Sequence, residues 1–464
     1  MYRLLIGLFC LFAGFAHAQT VPFFEQTYGT EAPDFTRSAV LHNNSIYTAG
    51  FFNTPNGGST DISVYRITTS GVVFDTIVFT RPLYDDNAQH IIAINSNRLA
   101  ICGDLANAGG NLCGFILLID TAGNMIDSAH SSLFAANLTF KKMALLANGN
   151  IAVVGFATGA ANSNDFLIEI YSPSLTRLYR SIEGSPSNDY LQTVVALPDS
   201  GYVVAGDQLN SGQYDMFIAR YDKTHNPHWQ HVHGDTLQNG CQDMILTSDN
   251  HLAICGETEI APASPFNFFI EKVDLNGNMI WNAKFGGAQA DAAFAIVETT
   301  DGYMGTGYSN SFGPGPISVA VFRTDTAGNM LWAHQYGSTG IDIGYSIFPG
   351  FGGYYIAGNS DVNGNNQCYL LHVDEGGWAT TEENISNGDT RLFPNPTSGT
   401  FMLTGIAPGS SFEVYDISGK MVDSGATNET TISFNTDGEL ANGIYAIRII
   451  SNGKTSTHKV IIRR

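Results

Sequence analysis

The chain has 464 residues, 44% of them hydrophobic and 11% aromatic, so it is long enough for more than one domain and for a large core. The formal net charge is −21, which repels phosphate backbones and argues against nucleic acid as a partner. Only 14% of the residues are charged and 50 are glycine, a composition typical of short strands joined by many turns.

Residues 1–18 have the features of a cleavable signal peptide. Arg3 precedes an apolar run over residues 4–15, and Ala16-His17-Ala18 forms a small-x-small cleavage site before Gln19. The apolar run is too short for a membrane span, which needs roughly 20 residues. No later stretch is as apolar over such a length, so we predict no transmembrane segment in the mature form.

A strand-like motif that ends in glycine recurs seven times, at intervals of 50 to 53 residues. Each period holds four strand-like runs separated by turn sequences, and in the sixth period these runs cover residues 292–298, 303–308, 318–324 and 330–336. Four short strands in a unit of this size are typical of a propeller blade. We therefore predict an all-β fold with a seven-bladed β-propeller over residues 19–378. The seven glycines are Gly50, Gly103, Gly155, Gly206, Gly256, Gly307 and Gly358.

The sixth repeat also resembles a known group of proteins. Its segments Asp301-Gly-Tyr-Met-Gly-Thr-Gly307 and Asp325-Thr-Ala-Gly-Asn329, with Tyr336-Gly337 after them, resemble secreted bacterial propeller repeats. The resemblance covers roughly residues 23–378. It implies a propeller fold and an extracellular setting, but no particular activity, because a fold does not fix a function.

The seventh repeat lacks a fourth strand, because its third strand at residues 368–373 runs on into a polar segment. One spare strand-like segment lies before the first repeat, at residues 22–29, and it ends in Tyr28-Gly29 just as a later strand ends in Tyr336-Gly337. A propeller must join its first and last blades or leave strand edges unpaired. We therefore predict that the N-terminal segment forms the outermost strand of the last blade.

The sequence changes character after the propeller. Residues 379–390 are polar and acidic, which predicts a linker. Residues 391–464 alternate between short apolar runs and glycine-containing turns, which predicts a small Ig-like β-sandwich.

Residues 391–464 contain four distinctive pieces: Phe393-Pro-Asn-Pro396 with Gly399, Tyr415-Asp-Ile-Ser-Gly-Lys420, Leu440-Ala-Asn-Gly-Ile-Tyr445 and Lys459-Val-Ile-Ile462. In this order they resemble the C-terminal sorting domains (type A) of the type nine (Por) secretion system of gram-negative bacteria. The resemblance implies passage through the periplasm and across the outer membrane by that machinery, usually followed by removal of the domain. The product would then be secreted or held on the outer cell surface. The alternative is an ordinary Ig-like binding module. The matching residues are Pro394, Asn395, Pro396, Gly399, Tyr415, Asp416, Gly419, Lys420, Gly443, Tyr445 and Lys459.

A polar residue opens the first strand of each repeat. Because the first strand of a blade lines the central channel, we predict a ring of these residues at the channel mouth as the candidate binding site. A ring of carboxylates could hold Ca²⁺; the alternative is that each side chain caps its own turn, and we expect no cofactor. The ring comprises Asp34, Asp86, Asp189, Asp291 and Asp342, with Asn137 and Asn239 in the other two repeats.

Two further groups of residues could bind metal or form disulfides. His231 and His233 lie at i and i+2 of a strand and could hold a metal, but the neighbouring Trp229 aligns with tryptophans of other repeats, which favours packing between blades. Five cysteines follow the signal peptide, and this odd number leaves at least one unpaired in a monomer. Cys102 and Cys255 fall where most other repeats have small apolar residues, so we expect mainly buried thiols. Cys102–Cys113 and Cys241–Cys255 could each bridge adjacent strands, and the sequence leaves the pairing open.

The sequence thus predicts a secreted or cell-surface propeller that acts as a binding or adhesion module for an extracellular polymer or protein. Two alternatives stay open: an extracellular enzyme, either glycan-degrading or quinone-dependent, and a structural surface-coat protein. An enzyme should have one blade with charged residues that the others lack, and apart from the histidines of the fourth repeat no blade shows this. We therefore favour binding over catalysis and predict no catalytic residues and no metal ligands.

Overall fold

The computed structural model describes residues 23–379 and 391–462, apart from residues 54–58, 82–83, 134–135, 159–162, 235, 314, 394–399, 405, 417–419, 436–439, 442 and 452–453. The chain divides into two compact units, Met1–Ala379 and Thr380–Arg464. Every regular element of the described residues is a β-strand. The predicted signal peptide and nearly all of the predicted linker lie outside the described residues.

The first unit consists of seven antiparallel four-stranded sheets, which confirms the seven-bladed propeller. Six blades take their strands consecutively from the chain, innermost strand first. The strands are, in blade 1, β2 (Asp34–His42), β3 (Ser45–Asn53), β4 (Thr60–Thr68) and β5 (Val73–Phe79); in blade 2, β6 (Asp86–Asn95), β7 (Arg98–Ala106), β8 (Leu112–Asp120) and β9 (Met125–Ser131); in blade 3, β10 (Leu138–Leu145), β11 (Ile151–Thr158), β12 (Asn164–Tyr171) and β13 (Arg177–Glu183). They continue, in blade 4, with β14 (Asp189–Ala196), β15 (Tyr202–Asn210), β16 (Gln213–Tyr221) and β17 (Pro227–His233); in blade 5, with β18 (Asn239–Leu246), β19 (Leu252–Glu259), β20 (Phe266–Val273) and β21 (Met279–Phe285); in blade 6, with β22 (Asp291–Thr299), β23 (Gly302–Ser309), β24 (Ser318–Asp325) and β25 (Met330–Tyr336).

Burial explains why the strands of a blade differ in sequence. The second strand is buried on both faces, as in β11, and reads as a continuous apolar run, whereas the outermost strand, as in β9, is mostly exposed and polar. The core lies between the sheets: one apolar cluster, for example, joins Ile116 of blade 2 to Phe140 and Val153 of blade 3. Neighbouring blades therefore stabilise one another through their faces.

The N-terminal strand closes the ring, as the sequence predicts. In blade 7 the sheet order is β1 (Phe24–Tyr28), β28 (Asn365–Val373), β27 (Gly353–Val362) and β26 (Asp342–Gly350). Phe24 lies opposite His372 and Tyr28 opposite Cys368 in an antiparallel pairing. Phe24 is also part of the apolar cluster that joins blade 7 to blade 1. The first strands contact one another in cyclic order, and β26 contacts β2.

Aromatic residues of the outermost strands support a turn of the next blade. The indole Nε1 of Trp229 in blade 4 donates a hydrogen bond to the carbonyl oxygen of Leu275 in blade 5 at 2.9 Å. Gly277 of the same turn has a φ of +81°, and a Cβ atom there would lie 2.8 Å from the Trp229 ring, so only glycine fits. Phe24 of β1 lies in the same way against Gly71 of blade 1. The N-terminal strand therefore takes the structural role of an ordinary fourth strand.

Each first strand contains a β-bulge opposite the repeat glycine. In blade 4 the pairing register moves from Leu191 opposite Gly206 to Thr193 opposite Ala205, so Gln192 is the extra residue. A Cβ on Gly206 would lie 1.9 Å from the carbonyl oxygen of Tyr190, and at all seven repeat glycines the corresponding distance is between 1.7 and 2.0 Å. The bulge leaves no room for a side chain at this position, which explains why every copy of the motif ends in glycine.

The five cysteines that the structure describes are free thiols. Cys102, Cys241, Cys255 and Cys368 are buried and Cys113 is partly buried. Cys102 lies opposite Ile116 rather than opposite Cys113 in the strand pairing. This agrees with the interpretation of the cysteines as small packing residues.

The second unit forms a small β-sandwich, as predicted. One sheet has the order β29 (Arg391–Phe393), β30 (Thr400–Thr404) and β33 (Thr431–Asn435). The other has the order β32 (Met421–Thr427), β31 (Ser410–Asp416), β34 (Gly443–Ser451) and β35 (Lys454–Ile462). A single apolar cluster takes Phe401 and Phe434 from the first sheet and Val414 and Ile447 from the second, so the core lies between the sheets.

Removal of residues 20–29 tests the closure. The deletion leaves β28 without its partner and exposes the blade 1–blade 7 cluster around Phe24. Burying one such ring contributes about 1.5–3 kcal/mol, so we expect the truncated propeller to lose several kcal/mol of a typical stability of about 5–15 kcal/mol. Thermal unfolding measures this loss as a lower melting temperature. Phe24→Ala should destabilise strongly and the exposed Thr27→Ala weakly; an unchanged melting temperature after truncation would contradict closure by β1.

Gly206→Ala tests the contact at the bulge. The new methyl group would lie within 2 Å of the Tyr190 carbonyl oxygen, so the backbone must move. We expect a loss of about 3 kcal/mol or more in the free energy of unfolding, measured by denaturant titration. Gly109→Ala is the matched control because that glycine lies in an exposed loop, where the nearest atom to an added Cβ is 3.3 Å away. Equal stability of the two variants would show that the contact imposes no constraint.

Candidate binding site at the channel mouth

The predicted aspartates cap the turns that lead into their own strands. Asp34 Oδ2 accepts hydrogen bonds from the Thr30 backbone N–H at 2.5 Å and from the Thr30 hydroxyl at 3.0 Å. Asp86 differs, because its carboxylate pairs with the Arg81 guanidinium. All five side chains are at most 1% exposed. The corresponding backbone donors elsewhere are Ser185 for Asp189, Gly287 for Asp291 and Ser338 for Asp342.

The structure thus shows turn capping by four of the five aspartates, and the role of all five in binding stays a prediction. Among the described residues no group of three or more His, Cys, Asp or Glu side chains could hold a metal ion. The assignment of Asn137 to the ring was wrong. Each ring aspartate stands two residues before the residue that lies opposite the repeat glycine, and in blade 3, where Phe140 lies opposite Gly155, that position is Leu138. Asn137 instead accepts a hydrogen bond from Leu112 N at 2.8 Å, as Asp85 does from Thr60 N.

The extra residues of the seven bulges form a different ring, which we call the mouth ring. The Arg37 guanidinium of blade 1 lies 4.6 Å from the ring centroid of Tyr345 in blade 7. Phe294 of blade 6 stacks on Tyr345 with centroids 5.4 Å apart. All seven side chains are partly exposed. The mouth ring consists of Arg37, Gln89, Lys141, Gln192, Gln242, Phe294 and Tyr345.

The residue after each repeat glycine adds a second layer beside the mouth ring. In three blades it is a carboxylate that accepts from the mouth-ring amide of the same blade, as Asp207 does from Gln192 at 2.9 Å and Glu257 from Gln242 at 3.2 Å. In blade 1 it is Phe51, which lies 5.7 Å from the Arg37 guanidinium. The full layer is Phe51, Asp104, Phe156, Asp207, Glu257, Tyr308 and Asn359.

These two layers are chemically unequal around the channel. Blades 6, 7 and 1 contribute aromatic rings and one guanidinium, whereas blades 2, 4 and 5 contribute amide–carboxylate pairs. Blade 3 contributes the single ammonium group, that of Lys141. The blades therefore differ in charge at the mouth, a difference that the sequence analysis expected only of an enzyme.

Burial changes the ionisation of the polar half. It raises the pKa of Asp207 to about 6 and that of Glu257 to about 7, and in Glu257 the charge of Asp207 adds to the effect. Burial also lowers the pKa of Lys141, and the charge of Arg37, two blades away, lowers it further. The Lys141 ammonium donates no hydrogen bond to a described residue, and the charges of Asp104 and Asp207 partly oppose the lowering of its pKa. The mouth side chains of blades 2 to 5 therefore carry less charge than their composition suggests.

A cavity of about 410 Å³, which we call the mouth pocket, opens beside blades 3 to 5. Its volume lies within the range of about 300–1,000 Å³ found for small-molecule sites. Aromatic walls, carboxyl groups, amides and one ammonium group meet in it. The lining residues are Phe156, Tyr190, Tyr214 and Phe266, with Lys141, Gln192, Asp207, Gln238, Gly240 and Glu257.

The histidines of blade 4 lie elsewhere, against the neighbouring blade. His231 Nε2 is 3.2 Å from the carbonyl oxygen of Asn276, and His233 Nε2 is 3.0 Å from that of Gly277. The second ring nitrogen of His233 contacts Glu271, which raises the pKa of the histidine. These contacts agree with the packing interpretation.

The sorting-domain residues that the structure describes hold strand ends and turns. The Tyr415 hydroxyl donates to Glu413 at 2.8 Å, and Asp416 Oδ1 accepts from the Lys420 backbone N–H at 3.1 Å. The Tyr445 hydroxyl donates to the Ala441 carbonyl at 3.0 Å. Gly443 begins β34, and Lys459 lies opposite Ala446 in β35. The other predicted residues, Pro394, Asn395, Pro396, Gly399 and Gly419, lie outside the described residues.

Glu257→Gln tests the ionisation of the mouth pocket. In the folded protein Glu257 keeps its proton up to about pH 7, whereas in the unfolded chain it loses it near its ordinary value of 4.5. The protonated group therefore stabilises the fold fully below that ordinary value, and this contribution is lost as pH rises through 7. We expect Glu257→Gln to become more stable relative to wild type between pH 5 and pH 8, measured by thermal unfolding. Glu31→Gln, at an exposed site, should show no such trend, and parallel curves for all three proteins would refute the assignment.

Comparison with known proteins agrees with the two-unit organisation. The family model described as the secretion system C-terminal sorting domain matches residues 391–463. No curated protein sequence matches the chain. Similar solved structures include a hydrazine synthase of Kuenenia stuttgartiensis, at 11% identity and a TM-score of 0.47 over 74% of this chain and 97% of that chain.

Two other structures are similar to the chain. PorZ, a surface component of the type-IX secretion system of Porphyromonas gingivalis, is 11% identical, with a TM-score of 0.26 over 92% of this chain and 75% of that chain. The β-propeller domain of the Trilobed protease from Pyrococcus furiosus is 9% identical, with a TM-score of 0.43 over 74% of this chain and 94% of that chain.

In the described part of the chain no helix is long and apolar enough to cross a membrane. The chain thus carries a propeller and a type nine sorting domain that directs it to the cell surface or beyond.

Proposed function

We propose that the protein is a binding or adhesion module whose propeller takes an extracellular polymer or protein at the channel mouth. The observation that carries this proposal is the unequal mouth ring, in which partly exposed side chains of seven blades converge beside a cavity of about 410 Å³. The rigid blades hold these side chains, and loops between second and third strands surround them. Variable residues on a rigid scaffold are where binding usually resides.

The charges at the mouth support a binding role. The Lys141 ammonium donates no hydrogen bond to a described residue, and its burial makes this costly although Asp104 and Asp207 attract its charge. An incoming acceptor would relieve this cost. A purely structural coat protein has no need for such a group, so the mouth favours a ligand over a passive role.

A second candidate function is hydrolysis of a glycan. Two carboxyl groups with raised pKa values, Asp207 and Glu257, lie in the same pocket, and paired carboxyl groups of this kind perform glycoside hydrolysis. Against catalysis, Asp207 is held by the Cys241 backbone N–H at 2.7 Å as well as by Gln192. Binding therefore remains the function that we favour.

The binding proposal is tested with the mature protein on an array of extracellular glycans and matrix proteins, with and without chelator. Lys141→Met and Gln242→Ala should each weaken capture of the ligand about tenfold or more, because they remove hydrogen-bond donors from the mouth. Lys223→Met, in an exposed turn on the opposite face, is the matched control and should bind as wild type does. Equal behaviour of all three variants would place the site elsewhere, and cleavage products that disappear in Asp207→Asn would favour the hydrolase.

A further inference from the structure

We propose that the mouth pocket binds a neutral saccharide unit. This inference rests on the proposed function, because it names the ligand class of the same site. It follows from three features of the pocket: its size, its balance of charges and its mixture of aromatic walls with hydrogen-bonding groups.

A cationic ligand does not suit the pocket. Lys141 is one of its lining residues, and the guanidinium of Arg37 is near enough to act on Lys141 through its charge. The Arg37 guanidinium lies over the ring of Tyr345, and burial and the charge of Arg37 together lower the pKa of Lys141. A second ammonium or guanidinium group from a ligand would add to an existing repulsion in a partly desolvated site.

An anionic ligand is also disfavoured. Asp207 and Glu257 line the same cavity, and the charge of Asp207 adds to the burial that raises the pKa of Glu257. Asp104 on the neighbouring blade acts on Lys141 as well, so carboxylates flank the ammonium on two sides. A ligand carboxylate or phosphate that reached Lys141 would lie beside groups of its own charge.

A neutral ligand rich in hydroxyl groups fits the remaining chemistry. Each hydroxyl both donates and accepts, which matches amides such as Gln192 and Gln238, a carboxyl group and the unpaired donors of Lys141. The rings of Phe156, Tyr214 and Phe266 offer apolar walls for the carbon–hydrogen faces of a sugar ring. The volume of about 410 Å³ suits one or two sugar units rather than a folded partner.

The experiment is titration calorimetry on the mature protein with three sets of probes. The neutral probes are oligosaccharides of glucose, galactose, mannose and N-acetylglucosamine; the acidic probe is oligogalacturonate; the basic probes are spermine and oligolysine. We expect one neutral oligosaccharide to bind, with a Kd that changes less than about twofold between about 50 mM and 500 mM NaCl, because screening does not act on an uncharged ligand.

Variants show whether the saccharide occupies the mouth pocket. Lys141→Met should weaken neutral binding about tenfold or more and give measurable binding of spermine, because the carboxyl groups lose their only nearby ammonium. Lys223→Met is the control on the opposite face, and thermal unfolding confirms that each variant is folded.

The outcomes separate this inference from the proposed function. Salt-sensitive binding of oligogalacturonate, spermine or oligolysine that Lys141→Met alters would leave the mouth as the binding site and overturn the saccharide assignment. Neutral binding that Lys141→Met leaves unchanged would overturn the assignment to this pocket. If no neutral oligosaccharide binds, the inference is wrong, and a mouth-dependent protein ligand on the array would still support the proposed function.

Discussion

The contact between a first-strand carbonyl oxygen and the repeat glycine is the constraint on which the propeller depends. At Gly206 the space for a Cβ atom is occupied by the Tyr190 carbonyl, and the same holds in all seven blades. The bulge that creates this contact also turns one extra residue, such as Gln192, out of the strand pairing. One backbone feature therefore fixes the repeat and at the same time presents seven side chains at the mouth. The backbone must be the same in every blade, whereas these side chains are free to differ.

In most blades the side chain of the residue after the bulge helps to join the blades around the channel. Ser38 accepts the Ile91 backbone N–H of the next blade at 3.3 Å, and Asp243 accepts that of Ile296 at 3.3 Å. Asp243 also forms an ion pair with Lys142, two blades away. Removing one partner of a pair this buried is strongly destabilising. Three kinds of contact thus stabilise the ring of blades: the hydrogen bonds near the channel, the aromatic–glycine contacts of the outermost strands and the pairing of β1 with β28.

The architecture could be predicted from the sequence because it repeats, and the candidate site could not because it does not. Regular glycine spacing gave the blade number, and the shared Tyr-Gly ending identified the closing strand. The same reasoning selected Asp34 and its equivalents, which recur because every blade needs its turn capped. The mouth ring holds four different chemical classes, from Arg37 to Phe294, so alignment of the repeats hides it. Asn137 was misplaced because a shift of one residue moves a side chain to the other face of a strand.

Variation among otherwise equivalent positions is itself the signal that sequence analysis missed. At a position where the backbone is identical in seven copies, packing alone would favour similar residues, as it does for the small residues before the repeat glycines, which are Ala, Cys, Val or Thr. Lys141, Asp207 and Glu257 instead bring ionisable groups into a site where burial opposes their charge. Such groups reduce stability unless something compensates for them, and proteins usually accept that cost at functional sites. The mouth-ring position, three residues after the start of each first strand, is therefore the position at which side chains can vary for binding while the backbone stays the same.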